Sequence, residues 1–350
     1  MRFRLNVNGF TLVELLVTIV IGGIVLTAVY EIFISQYRAY MIQSQVSEMQ
    51  QNGRIALLII SRDARIARYN SRVDGGLGIP KNWAVHGFNN TASSTITDPF
   101  AQDTVDIADD VKTGTDAIWI VYQDDNTPDY LVIPPGASFT ANNFSFCCPD
   151  NLLINGVDED PFPYDDGQLL CLIGCGGIGF IEVTQLGTTG GSCPAGETMV
   201  KINFAPGQSA QNYPSGIDEL FPEPIYIGSA VSRIYYVNTS NELRIATPTT
   251  GGFSSDPLAD NIEDMQFAYG LDTDADDLIN TWTNDPAGSE DEIRAIRINV
   301  LARTRREDRR NRTFFKDAVE DGSRHPAAGT DGFRRRLFSS EVQVRNMYLP

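Results

Sequence analysis

Hydrophobic and polar positions alternate with two different periods along this chain. The first 70 residues carry a helical pattern, and the remainder carries a strand pattern. From Phe10 the sequence FTLVELLVTIVIGGIVLTAVY is almost wholly apolar, and Leu15 to Tyr30 is uncharged. A membrane-crossing helix needs about 20 apolar residues. The run from Phe10 to Ile34 reaches that length only by including Glu14 and Glu31. Further on, Ile42, Val46, Met49, Gly53, Ala56 or Leu57, Ile60, Ala64 and Ala67 recur at spacings of three and four. That is the apolar stripe of an amphipathic helix. Gln43, Gln45, Glu48, Gln50, Arg54, Arg62 and Arg65 fall off the stripe. No proline interrupts Phe10 to Tyr69. The pattern therefore predicts one helix over 10–69, about 90 Å long at 1.5 Å per residue. Its 10–34 part is suited to lipid and its second half to a globular domain. Gly22-Gly23 and Gly53 are its weak points, since glycine costs a helix about 1 kcal/mol against alanine. Gly22-Gly23 suits either close helix packing or local melting during assembly.

After Tyr69 the period shortens. Clusters of Gly, Pro, Asn, Asp, Ser and Thr separate short apolar runs, as strands and loops do. Candidate strands are Ala117–Tyr122, Tyr130–Ile133, Leu169–Ile173, Gly179–Thr184, Met199–Phe204, Ser232–Val237, Glu242–Ala246, Asn261–Tyr269, Ala295–Ala302 and Glu341–Arg345. No helical pattern separates them, so antiparallel sheet with meander connections is expected. The fold class is α+β, a long N-terminal helix packed on an antiparallel sheet in a globular domain over 70–350. The stretch 135–230 is rich in Gly and Pro and holds every cysteine, and it reads as an insertion into a simpler core. No internal repeat is visible.

Charge changes the picture in one respect. The 350 residues hold 27 Lys and Arg against 45 Asp and Glu, a net charge of −18. Such a balance argues against binding nucleic acid, which needs excess Lys and Arg beside phosphates. The charge is unevenly placed. Residues 1–293 carry 13 basic and 38 acidic side chains, whereas residues 294–350 carry 14 and 7. The basic excess centres on Arg305, Arg306, Arg309 and Arg310, with Arg334-Arg335-Arg336 further on. One reading is an exposed loop with solvated charge. The other is a contact with an acidic neighbouring subunit, since arginine forks pair well with carboxylates.

Candidate chemistry is sparse. Two histidines, His86 and His325, make a triad or a His-rich metal centre a poor expectation. Cys147, Cys148, Cys171, Cys175 and Cys193 all follow the apolar helix. In an oxidising compartment they predict two disulfides of undetermined connectivity and one thiol left over. Zinc on four thiolates would need a second closely spaced pair beside Cys171 and Cys175. Asp272, Asp274, Asp276 and Asn280 offer oxygens at alternate positions, as a calcium loop does. Asp277 stands where such loops have Gly, and Thr283 where they have Glu. A solvated acidic hairpin tip is the competing reading. Gly174-Cys-Gly176-Gly-Ile-Gly179 formally matches a dinucleotide fingerprint, but Phe180-Ile-Glu-Val-Thr continues as a strand where that motif requires a helix. No nucleophile elbow, P-loop or zinc-protease motif occurs. The chain is therefore not expected to be an enzyme, and no cofactor beyond possible calcium is called for.

The start of the chain is the most specific signal. Residues 1–9 contain Arg2 and Arg4 and no acid, which predicts a cytoplasmic N-terminus with the rest outside. No small-residue cleavage site follows the apolar run, as an ordinary signal peptide would require. Gly9-Phe10-Thr11-Leu12-Val13-Glu14 resembles the type III signal of type IV prepilins. The resemblance implies that a prepilin peptidase cuts between Gly9 and Phe10 and that Phe10 is N-methylated. It also implies that Glu14 pairs with the N-terminal amine of a neighbouring subunit. A carboxylate within a membrane helix costs about 2.5–3.5 kcal/mol, which independently makes Glu14 a candidate functional residue; the competing reading is an interfacial carboxylate close enough to the helix end to stay wet.

Toward the other end, Ser232-Arg-Ile-Tyr-Tyr-Val237, Asn261-Ile-Glu-Asp-Met-Gln-Phe-Ala-Tyr-Gly270, Ile296-Arg-Ile-Asn-Val-Leu-Ala-Arg303 and Val344-Arg-Asn346 together resemble the PilW family of minor type IV pilins. The likeness covers the first sixty residues and about 231–346. It implies a minor pilin held in the inner membrane before assembly, active in starting the pilus and located at its tip on the cell surface. Its partners would be other minor and major pilins, a PilY-type tip protein, the prepilin peptidase and the inner-membrane assembly platform. Two alternatives are a GspJ-like minor pseudopilin of type II secretion and a tip adhesin that binds through 135–230.

Overall fold

The protein is described from a computed structural model, over residues 11–67, 85–91, 95–97, 104–106, 111–123, 131–133, 138–140, 143–149, 166–174, 177–188, 193–195, 197–204, 225–249, 252–274, 276, 278–308, 310, 313–323 and 325–344. It divides into two compact units, residues 1–48 and 49–350. The helix α1 (Leu12–Ile66) supplies the described residues of the first unit and enters the second. It is continuous through Gly22 and Gly23. Its apolar part is long and apolar enough to cross a membrane, and that part is not buried.

In the second unit α1 changes character. Met49, Gly53, Ala56, Ile60, Ala64 and Ala67 are buried, which is the stripe that the spacing predicts. Most of these side chains are small, so the helix axis can lie close to its support. A Cβ built on Gly53 would overlap the ring of Phe338, so this glycine is a packing position rather than a weak point. Leu57 is half-buried and Leu58 points outward.

The strands are β1 (Val85–Thr91), β2 (Thr95–Thr97), β3 (Thr104–Asp106), β4 (Thr115–Gln123), β5 (Leu131–Ile133), β6 (Ser138–Thr140), β7 (Asn143–Pro149), β8 (Leu169–Gly174) and β9 (Gly177–Glu182). They continue as β10 (Gln185–Thr188), β11 (Glu197–Asn203), β12 (Ile225–Val237), β13 (Glu242–Thr249), β14 (Gly252–Asp260), β15 (Ile262–Leu271), β16 (Thr281–Thr283), β17 (Ile293–Arg303) and β18 (Arg335–Gln343). Among the described residues every ladder is antiparallel. The largest sheet has the order β1-β4-β12-β13-β14, with β5 and β8 also on β12 and β9 on β8. A second sheet runs β16-β15-β17-β18, a third β10-β11-β7-β6, and β2 pairs with β3.

All ten expected strands exist, with shifted ends. The last begins at Arg335, six residues before the expected start at Glu341, because a basic run that reads as loop carries a buried arginine. Strands β1, β7 and β14 lie where turn-forming residues dominate the sequence, and their ladders rather than their composition define them. The β10-β11-β7-β6 sheet is built wholly from the 135–230 stretch. β12 begins at Ile225, inside that stretch, and joins it to the core. Its first residues pair with β5 and β8 and its later ones with β4 and β13. The glycine-rich stretch at 174–179 is the β8–β9 hairpin, with Gly174 opposite Gly177, so no helix opens there.

The core sits around β4, β12, β15 and β17. Trp119, Tyr235, Tyr236, Phe267 and Tyr269 are among its largest fully buried side chains. Trp119 donates to Ser232 Oγ at 2.7 Å and meets Phe253 edge-on at 5.6 Å. Every residue of β15 is buried, on both faces, even though it includes Glu263, Asp264 and Gln266.

Candidate assembly site

Gly9 and Phe10 lie outside the described residues. Directly after them, Thr11 and Glu14 close a reciprocal cap. Glu14 N donates to Thr11 Oγ1 at 3.3 Å, while Thr11 N and Thr11 Oγ1 donate to Glu14 Oε2 at 3.0 and 2.9 Å. This is a capping box, which satisfies helix donors that have no intrahelical acceptor. The sequence spells this box as Thr-x-x-Glu, a local signal separate from the membrane-carboxylate and amine-pairing readings of Glu14. Glu14 Oε2 is thus held by Thr11 within its own chain.

The second half of α1 is fixed to the sheet by a buried ion. Asp63 is fully buried, and its Oδ2 accepts from Arg233 Nη1 at 2.7 Å and from Tyr235 Oη at 2.6 Å. Arg62 Nε lies 3.3 Å from the other oxygen. Burial and the Asp63 charge push the phenols of Tyr122 and Tyr235 upward, so both stay protonated. Asn52 Nδ2 also donates to the Asp260 carbonyl at 2.8 Å. These contacts fix both the rotation and the axial position of α1 on β12 and β14.

A second ion network braces the C-terminal sheet. The Arg335 guanidinium forks onto Glu263 at 2.5 and 3.0 Å and onto Asp331 at 2.6 Å through each of its terminal nitrogens. His325 Nε2 lies 2.8 Å from Asp264 Oδ2. Lys112 Nζ donates to the Glu263 carbonyl and to Asn241 Oδ1. Burial draws the Lys112 amine downward, against the pull of Glu263 and Asp264. Asp116 accepts from the Asn90 and Phe267 amides at 3.0 and 2.8 Å and joins the start of β4 to β15. Burial lifts its carboxyl to about 7. The charges inside β15 were the available signal, because acids in an otherwise apolar strand need partners.

This network divides the basic run. Arg303, Arg334 and Arg335 turn to partners within the chain, and the 304–334 segment is held across the sheet by Asp321 to Asn89 and Asn90 and by Glu320 to Asn299. Arg305, Arg306 and Arg310 are exposed, and Arg309 lies outside the described residues.

One disulfide is formed among the described residues, Cys147–Cys193, across 46 residues of chain. The expectation for Cys175 lies outside the described residues, as do the side chains of Cys148 and Cys171. In the acidic loop between β15 and β16, Asp272, Asp274 and Asp276 bring carboxylate oxygens within 4.8 Å of one another. Asp272 is buried against Arg294 Nη2 at 3.0 Å. Asn280 turns its amide nitrogen to Asp274 and its oxygen to Thr273, so its oxygen is engaged within the loop.

An apolar N-terminal helix, capped behind a Gly-Phe junction and docked by its second half on antiparallel sheet, defines a type IV pilin-like subunit. Residues 4–30 match the model of the prokaryotic N-terminal methylation motif, and residues 234–346 match that of the type IV pilus-assembly protein W. Over these two stretches the chain is similar to PilW-like minor pilins of the type IV pilus. The second match runs from the end of β12 through β18 and contains Glu263, Asp264, His325, Asp331 and Arg335, while Lys112 and Asp116 lie outside it. Among solved structures, a type IV-like pilin from Thermus thermophilus aligns over 52% of this chain and 87% of its own, at 18% identity and a TM-score of 0.23. That likeness carries no weight in the assignment. No curated protein matches the chain.

Proposed function

We propose that the chain is a tip-located initiator of pilus assembly. A prepilin peptidase cuts between Gly9 and Phe10 and methylates Phe10. The helix then holds the subunit in the inner membrane, N-terminus inward and globular domain in the periplasm, until it leaves with the filament for the cell surface. Its partners are other minor pilins, the major pilin, a PilY-type tip protein and the assembly platform. It works by binding rather than by catalysis.

One observation carries this reading. A single helix is largely apolar and exposed from Leu12 to Phe33 and docked on the sheet from Met49 onward. The pseudopilin and adhesin readings draw no support from the PilW match. Glu14 exchanges its Thr11 hydrogen bonds for the amine of an adjacent Phe10 when the subunit packs. Arg305, Arg306 and Arg310 face an acidic neighbour, so reversing them to Glu lowers co-purification with other minor pilins.

The acidic loop is a calcium site only if a divalent ion outcompetes Arg294 for Asp272. Calorimetry of the full chain in detergent, with Asp274→Ala as control, decides this. Mass spectrometry of sheared filaments decides the main reading. A peptide beginning at N-methylated Phe10 is expected at low abundance, and an intact Met1 start in filament material overturns it.

A further inference from the structure

Between β17 and β18, Phe314 bridges to Asp331 and Lys316 to His325, so the chain there forms a hairpin that turns over at Val319–Gly322. Its base is held by charge and rings, since Arg335 grips Asp331 and Arg334 stacks on Phe314 at 4.6 Å. Its tip is held otherwise. Asp317, Val319, Ser323 and His325 line a small cavity over Asp264, Gln266, Asn299 and Leu301, on the polar face of β15 and β17. Val319, half-buried, is the one apolar side chain that these tip residues bring to it. The ties are polar. Glu320 accepts from Asn299 at 3.2 Å, Asp321 accepts from Asn89 and Asn90 at 2.8 and 3.2 Å, and His325 Nε2 lies 2.8 Å from Asp264 Oδ2. Gly322 lies so close to Gln266 that a Cβ there would fall 2.7 Å from its amide carbon. Yet Gln266, 1% exposed, keeps Oε1 without a hydrogen-bond partner. Segments with few buried apolar contacts open locally at low free energy. Opening here also hydrates an acceptor that the seated tip leaves unsatisfied.

Charge decides when the tip opens. The Asn90 amide donates to Asp116 and the Asn90 side chain donates to Asp321, so one residue bridges two acids. Burial lifts the Asp116 carboxyl to about 7, and the charges of Asp321 and Asp264 add to the rise. Tyr269, which also faces Asp116, stays protonated because its buried phenol is raised well above its ordinary value. In mildly acid solution Asp321 therefore has no charge opposite it at Asp116. The His325 tie does not switch in this way. Glu263 and Asp264 face its ring from β15 and Asp317 shares its cavity, while Lys112, Arg303 and Arg335 lie around Glu263. Neutral or charged, an imidazole can offer an N–H to a carboxylate. We propose that this tip is a pH-gated strap, seated on β15 and β17 in mildly acid solution and released in alkaline solution, where ionised Asp116 repels Asp321. Buried charges are poorly screened, so salt does not abolish the repulsion. Release uncovers Asp264, Gln266 and Asn299, and the hairpin base stays in place on Arg335.

Hydroxyl-radical footprinting of the full chain in detergent tests this. Leu301 is the reporter, because it lines the cavity under the tip and is 3% exposed. Its neighbour Val300, buried on the opposite face of β17, is the control for general unfolding. Oxidation of Leu301 is expected to rise about five-fold from about pH 6 to about pH 8, the low end of coupling between two sites, with Val300 unchanged. Asp321→Asn keeps an oxygen for Asn89 and Asn90 but removes the charge, so Leu301 stays protected at both values. Asp321→Ala removes the tie itself, so Leu301 is oxidised already at the lower value while Val300 stays protected. Leu301 oxidation indifferent to pH in the native chain, a rise that persists in Asp321→Asn, protection in Asp321→Ala equal to the native chain, or a parallel rise at Val300 overturns the inference.

Discussion

Gly53 on α1 lies directly beneath the ring of Phe338 on β18, so that no side chain fits between helix and strand. Two opposing effects set the outcome of substitution. Gly53→Ala gains about 1 kcal/mol of helix propensity. It also forces a methyl group into a buried ring, and overpacking costs about 1–3 kcal/mol. Overpacking wins, and more clearly for Gly53→Val. Denaturant unfolding of the full chain in detergent is expected to show a lower midpoint for both, with Val below Ala.

Asp63 holds α1 to β12 through Arg233 and Tyr235. Asp63→Asn keeps the shape and removes the charge, leaving a largely buried guanidinium without its counter-ion. Removing one partner of a buried pair costs about 3–5 kcal/mol. Arg233 retains 27% of its side-chain exposure, so about 2–3 kcal/mol is expected here. Hydrogen exchange locates the effect, with amides of 53–66 losing protection before those of β15. Uniform loss across the domain would show that Asp63 is not a local anchor.

Asp116 gives stability a pH dependence of known sign. Its carboxyl is pushed up to about 7 from 3.8, chiefly by burial, with Asp321 and Asp264 adding to the rise and the Asn90 and Phe267 amides opposing it. Between those values the folded state holds a proton that the unfolded state has lost. Stability from this group is therefore fully present below the lower value and is lost as pH rises through about 7. Glu290 and Asp331 are lowered by His86 and Arg335 and act oppositely, losing their contribution only as pH falls below their ordinary values of 4.5 and 3.8. Unfolding midpoints should thus rise from about pH 8 to pH 5. Asp116→Asn should flatten that slope, and an unchanged slope would assign it to another group.

Cys147–Cys193 closes a 46-residue span within the β10-β11-β7-β6 region. Loop-closure entropy sets its contribution near about 4 kcal/mol, before any loss to structure remaining in the unfolded chain. Cys147→Ala with Cys193→Ala should expose 143–203 to limited proteolysis while β15–β18 stay resistant. Non-reducing peptide mapping of the native chain should recover the two cysteines in one linked pair.

The sequence alone determined the elements whose signal is local. Apolar spacing located α1 and its buried stripe down to Met49, Gly53, Ala56, Ile60 and Ala64. Alternation located β17, and a short apolar run between turn-forming residues located β15. Periodicity is written in neighbouring residues, so it can be read without a fold. Tertiary structure decided what depends on distant residues. It sent Arg335 inward to Glu263 while Arg305 stayed in solvent, although both read as one basic surface. It turned Gly53 from a weak point into a contact with Phe338, paired Cys147 with Cys193, and set Asp63 against Arg233. Each of these joins positions far apart in the chain, and a charge or a small side chain has no fixed role until the fold supplies its partner.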